Sequence, residues 1–367
     1  KVPAIDLAEV GAGGGSLLWV DGGGALQVGP QSAGADPGPV CYDAGGTEPT
    51  VTDANVVLGY INPKHLVGGA LQLRADKAHN AIAARIAKPL RLSVEQAAHG
   101  AHLIAASNMI RAIKAVSSER GRDPRAYALV GFGGNGPLFA AGMAQSLGIR
   151  RVLIPQAAGV FSSFGLLYSD VAYHVTRTRK TLLQDAAPAE IAALFDTLAA
   201  EATDRLQADG FSATQIVLNR SALMRYHGQS FELEVPVPER IDGQAAIHAM
   251  EEAYGMEHER TYGHRADADE PVELVTLKVI GTGLPDVSRA AAASKQRPAR
   301  RAAIGAGVRR AYFGPTHGWL ETHVLDRTGL AIPQPGPCII EEYDCTCVVP
   351  PGCVAELDPF GNIVIAV

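Results

Sequence analysis

The chain has 367 residues, 47% hydrophobic and 19% charged, the make-up of a globular protein with enough apolar side chain for two or three domains. A net charge of −6 and an aromatic content of 6% supply neither the basic field nor the stacking rings of a nucleic-acid binder. No apolar run approaches the roughly 20 residues of a membrane span, and an odd number of cysteines, five, points to a reducing compartment and so to the cytoplasm.

The chain opens on glycine: 12 of its 40 glycines fall between Gly11 and Gly46. Glycine loses more backbone freedom on folding than any other residue, so ordering this much of it implies tight turns or main-chain amides held close to a ligand. Gly13, Gly14, Gly15 and Ser16 can form a nest of amides around an anion or substrate, or a tight linker into the strands that follow. Those strands, Leu17–Val20 and Ala25–Val28, flank Asp21-Gly-Gly-Gly24 as a hairpin. Residues 30–55 then read as a long Gly/Pro-rich loop, a feature uncommon unless functional. It ends in Thr50-Val-Thr-Asp-Ala-Asn55, where Thr52 or Asp53 caps a helix.

Helical spacing follows over 75–87. Ser93-Val-Glu-Gln96 is a capping box that starts a helix running to about Ser118, with Ala98, Ala101, Ala105, Ile110, Ile113 and Val116 as its buried stripe. Next come a strand over Tyr127–Phe132, the turn Gly133-Gly-Asn-Gly136, a helix from Pro137 to Leu147, and the strand Arg151–Ile154. This strand–loop–helix–strand unit marks a parallel α/β sheet. Glycines at its turn let a phosphate or nucleotide ring meet the free amides of the helix N-terminus. A dinucleotide site would also need an acid after the next strand to hold the ribose. That strand runs instead into Pro155-Gln-Ala-Ala.

Past residue 170 the pattern changes to α+β: a helix near 188–209, strands Ala222–Tyr226 and Phe231–Val237, a helix near 244–260, and a strand over 272–279. Residues 285–308 read as a linker and 309–367 as a small β-rich unit. His99 and His102 lie three apart on one helix, a spacing compatible with a metal pair, but no third ligand is evident. The cluster Cys338, Cys345, Cys347 and Cys353 lacks zinc-site spacing and reads as small buried core residues.

Several of these segments together resemble the hydantoinase A / 5-oxoprolinase family. They are the glycine string from Gly11 through Asn55, Glu119–Arg125, Phe132-Gly-Gly-Asn-Gly-Pro-Leu138, Pro155–Leu167, Met224–Leu233, His258 through Tyr262-Gly-His264, Glu341-Glu-Tyr-Asp344 and Val348–Gly352. The sequence departs from the family's pattern at Ala8 and Phe139, where histidine is common, and at Leu223, where an acid is common. The resemblance implies an α/β chain: part of an actin-like (ribonuclease H-like) ATPase fold over 1–170, an α+β domain over 171–284, and the β-rich unit. It implies ATP and Mg²⁺ as cofactors, with Gly133, Gly134, Asn135 and Gly136 on the adenosine side and Asp53, or Asp36, as a metal or water ligand. Asp43-Ala-Gly-Gly-Thr47 imitates the phosphate loops of this superfamily. It follows Pro37–Tyr42, which cannot be the buried strand such a loop needs. The true phosphate loops then belong to an N-terminal half that precedes this segment. The resemblance further implies a hydantoinase B-type partner and an ATP-dependent cyclic amide hydrolase. An ATP-dependent ketone carboxylase subunit and a non-catalytic portion are the alternatives.

Overall fold

The computed structural model describes residues 7–64, 69–167, 169–266, 270–284 and 307–367. They fall into two compact units, one of residues 1–165 with 297–367 and one of residues 166–296.

In the first unit, strands β1 (Ser16–Val20) and β2 (Leu26–Ser32) form an antiparallel hairpin, its turn held by Asp21 Oδ1 accepting from the amides of Gly23 and Ala25. Helices α1 (Val51–Val57), α2 (Ala75–Ile82), the short α3 (Lys88–Leu90) and the long α4 (Val94–Val116) follow. The Ser93 capping box forms as the sequence predicts, and Ala97, Ala98, Ala101 and Ala105 are buried. Alanine on that face lets α1 approach α4 closely, and together they bury Leu18, Val51, Leu58, Ile82 and Phe139. Strand β3 spans only Leu129–Val130. Helix α5 (Gly136–Leu147) crosses over to the parallel β4 (Arg151–Ile154), and α6 (Phe161–Leu166) closes the segment.

The second unit is an antiparallel sheet of β5 (Val171–Leu182), β6 (Ile216–Tyr226), β7 (Leu233–Pro236) and β8 (Val272–Gly283), in the order β5-β8-β6-β7. Helices α7 (Pro188–Ala208) and α8 (Gln244–Tyr262) pack on it through Phe195, Leu198, Met250 and Tyr254 against Leu274, Leu277 and Val279. This is the expected α+β arrangement. Strand β5 lacks a sequence counterpart because most of its side chains are exposed and polar, and the first half of β6 because Val217, Leu218 and Asn219 are exposed in succession, without alternation.

The chain then returns. Strands β9 (Gly307–Tyr312), β10 (Trp319–Leu325), β11 (Gln334–Pro335), β12 (Cys338–Glu341), β13 (Thr346–Val349), β14 (Val354–Leu357) and β15 (Ile363–Ala366) make a four-stranded sheet, β13-β12-β10-β9, and a five-stranded one, β11-β14-β15-β4-β3. The tail is therefore not a unit of its own. Its last strand pairs with β4, Ile363 opposite Ile154 and Ile365 opposite Val152, and both sheets share with α5 a core of Ala140, Ala144, Val152, Ile340, Val349 and Ile365. The linker expectation lies outside the described residues up to 306, and Gly307 and Val308 already belong to β9. Among the described residues no helix is long and apolar enough to cross a membrane.

Candidate functional site

The glycine loop before β1 is pinned from behind. The Gly14 carbonyl accepts from the Thr52 amide (2.9 Å) and hydroxyl (3.0 Å), the Gly15 carbonyl from Ala33 (2.8 Å), and Ser16 Oγ from the Gly13 amide (3.0 Å). A Cβ on Gly14 would stand 2.6 Å from Thr52 Oγ1 and 3.2 Å from Asn135 Nδ2. Glycine is required there by sheer closeness, and the contact joins this loop to the second one.

That second loop leaves β3 and turns at Gly133, whose φ of +83° suits glycine and whose amide donates to Ala158 O (2.7 Å). Gly134 offers bare main chain: nothing stands within 4 Å of where a Cβ would be. Gly136 begins α5, with Pro137 in its first turn. Asn135 is the N-cap, a position where asparagine normally accepts from the helix's own amides. Here its backbone is helical and it makes no such bond. Its Nδ2 is buried without a partner, one of two such atoms among the described residues.

Both loops open on one cleft of about 530 Å³, lined among others by Gly14, Gly15, Gly134, Asn135 and Leu138. Residues 341–346, the turn between β12 and β13, form a further wall that residue-by-residue reading missed as a site. Glu341 there pairs with Arg309 (2.6 Å) and accepts from Asn62 Nδ2 (3.1 Å), while Arg309 also donates to Gly59 O and Tyr60 O. Glu342 receives a bidentate fork from Arg327 (2.7 and 2.6 Å), which reaches on to Gly361 O and Pro155 O. Asp344 accepts from the Gly159 amide (3.0 Å). Two of the three acids are thus neutralised from behind, and no lysine or arginine lines the described cleft. Tyr42, also on the wall, has its hydroxyl held above the ordinary range by burial and then by Cys41 and Asp53, so it serves as a neutral donor. The one sequence signal for this wall was the acidic tetrapeptide; its arginine partners lie too far along the chain to be seen.

Asp53 does not take the role of a metal or water ligand. It is fully buried, and its carboxylate accepts from the amides of Val40 (3.1 Å), Cys41 (2.7 Å) and Thr50 (2.8 Å) and from the Thr50 hydroxyl (2.8 Å). Thr50, not Thr52, caps α1, and Asp53 closes the reciprocal box from the third helical position. Its lone pairs stitch the 30–55 loop to the helix, and Thr52 meets the cleft in its place. Asp36 and Gly13 are not on the cleft wall.

His102 Nδ1 lies 2.9 Å from Asn55 Oδ1, and the ring stacks on Phe139 at 4.3 Å. Burial, and secondarily His99, push its pKa down to about 3; burial also lowers that of His99. These are neutral packed imidazoles, and among the described residues no group of three His, Cys, Asp or Glu side chains is placed to hold a metal. All five cysteines are buried, with thiols raised chiefly by burial, Cys338 to about 11, as inert core residues have. His258 sits among Tyr226, Tyr254 and Tyr262, and Gly263 ends α8 in the left-handed conformation, the ordered helix end the sequence predicts.

Compared with known proteins, the chain matches the hydantoinase/oxoprolinase model over residues 1–175 and the hydantoinase/oxoprolinase C-terminal domain over residues 179–363. It is 37% identical to the caprolactamase subunit alpha of Pseudomonas jessenii, over 98% of this chain and 52% of that one. The solved structure of that ATP-dependent caprolactamase superposes with a TM-score of 0.64. A nucleotide-free acetone carboxylase structure, 28% identical, superposes over 97% of this chain and 52% of its own with a TM-score of 0.85. Arabidopsis thaliana 5-oxoprolinase 1 is 31% identical over 100% of this chain and 30% of its own. The chain spans about half the length, or less, of the curated relatives it matches. Two matched models that tile nearly all 367 residues, and relatives that agree with them, make the chain a member of the hydantoinase/oxoprolinase family.

Proposed function

We infer that this chain forms one half of an ATP-dependent enzyme that activates the carbonyl oxygen of a cyclic amide as its phosphate, for hydrolysis with a hydantoinase B-type partner. The observation that carries this is the convergence of Gly14 and Gly15 with Gly134 and Asn135 on one cleft. The residues fit a nucleoside: Gly134 bares its main chain and Asn135 holds a donor that the protein leaves unused. Adenosine is assigned to the Gly133–Gly136 side, and substrate to the Gly14–Gly15 side with the neutral Tyr42 hydroxyl opposite. A triphosphate would meet Asp344 and no lining cation here, so its phosphates belong to residues beyond this span, in keeping with an actin-like ATPase divided between two halves. Among the described residues no cluster of donors is placed to hold Mg²⁺.

When bound, ATP supplies a phosphoryl group that turns a poor leaving oxygen into a good one. The part of this chain is to hold the nucleoside, present amide donors to the polarised oxygen, and exclude water behind the arginine-backed wall. A ketone carboxylase subunit is the second reading, favoured by the TM-score of 0.85 to acetone carboxylase. Phosphate release by the complete assembly decides between them: stimulation by caprolactam, hydantoin or 5-oxoproline supports the first, and stimulation by acetone or acetophenone with bicarbonate supports the second. An assembly inert to all of them would leave the chain a structural portion.

A further inference from the structure

Strand β3 forms one end of the five-stranded sheet, and among the described residues nothing pairs with its outer side. The Gly131 amide donates to Leu153 O in β4, so the main-chain groups of the neighbouring Val130 point the other way. Free edges are normally blunted with charge or proline. Here no charged residue stands between Arg125 and Arg150, and Tyr127, Val130 and Phe132 are exposed by 57%, 44% and 46%. Gly131 packs toward Ala140 of α5, so Val130 and Phe132 emerge on the opposite face. There Val130 stands beside the half-buried Leu153 and Val364 in register across the sheet, and the Phe132 ring meets Phe161 at 5.4 Å, next to the exposed Val160. Parallel strands are usually buried on both faces; this pair is covered by α5 on one.

We propose that the open edge and apolar face of β3 dock a β-strand from the half of the polypeptide that the relatives carry and these 367 residues do not span. The length is sufficient, since 98% of this chain accounts for 52% of the caprolactamase subunit. Access is direct as well: Gly14 and Asn135, three residues after Phe132, line the same cleft, and Leu7–Gly14 extended reaches at most about 25 Å. An incoming strand satisfies the outward groups of Val130, and its apolar side chains cover Phe132 and Leu153.

Hydrogen exchange read by mass spectrometry tests it on two proteins, the 367-residue chain and that chain extended to full length with the remaining half of the caprolactamase subunit. Residues 127–133 should exchange at least about tenfold more slowly in the extended chain, while the β7 edge of the second unit is unchanged. Val130→Lys, on an exposed side chain, should restore fast exchange in the extended chain. If wild-type residues 127–133 exchange equally in both proteins, the docking is refuted. Protection that instead rises with the concentration of the 367-residue chain alone would make a second copy the occupant and likewise overturn the assignment.

Discussion

Asn135 is the residue on which the cleft turns, because its Oδ1 makes no cap bond to α5 and its Nδ2 is buried and unpaired. A buried donor without an acceptor costs about 1–3 kcal/mol, so a ligand oxygen or ring nitrogen that accepts from it recovers that much. Asn135→Ala should therefore weaken binding of a non-hydrolysable ATP analogue by about tenfold in the complete assembly, with no loss of thermal stability. Calorimetric titration paired with a melting curve reads both. His102 supplies the opposite case, a half-buried polar group that serves the fold alone. Its folded pKa of about 3 lies below its ordinary 6.5, so between those values only the unfolded chain takes up the proton. The stability it contributes is complete above pH 6.5 and drains away as pH falls toward 3. His102→Gln should flatten the melting temperature across that window, measured in a buffer series at constant ionic strength. Both histidines were visible in the sequence as a spaced pair. What the spacing could not convey was that Asn55 and Phe139 enclose His102.

Among elements, those with strong periodicity or explicit end signals were legible: α4 with its Ser93 box, α5 with Pro137, α7, α8, and the first hairpin with its glycine turn. Two kinds escaped. Strand β5 runs through Thr, Arg and Lys as an exposed edge, with almost no alternation to detect. The cap of α1 was placed at Thr52 or Asp53 rather than Thr50 because cap-competent side chains crowd one turn, and only the bonds from Val40 and Cys41 reveal that the Asp53 carboxylate is taken. The cleft itself is built from element ends. Gly159, ahead of α6, fits beneath the β12–β13 turn so closely that a Cβ would collide with the Asp344 main chain. Gly159→Ala should destabilise by about 1–3 kcal/mol and spread that wall of the cleft. Urea titration should show a lowered midpoint, and nucleotide affinity should fall with it.

At the scale of the whole molecule there are two units with separate cores, one continuous in sequence and one interrupted by it. Scanning calorimetry should resolve two transitions. Arg327→Ala leaves Glu342 largely buried without its fork, a loss of about 3–5 kcal/mol, and should lower one transition while the other stays. The family and the two glycine loops could be read before any coordinates because they are runs of adjacent residues. That the tail returns to complete the first unit could not, since β15 announces only a short apolar strand, and its partner β4 is separated from it by an entire inserted unit.

That return sets the timing of biosynthesis. Ile363–Ala366 are the strand between β14 and β4, so a nascent polypeptide stalled between the inserted unit and β15 exposes β4 along a bare flank while that unit is already whole. Residues before the inserted unit therefore wait for β15, and deleting Ile363–Ala366 would leave their sheet unfinished.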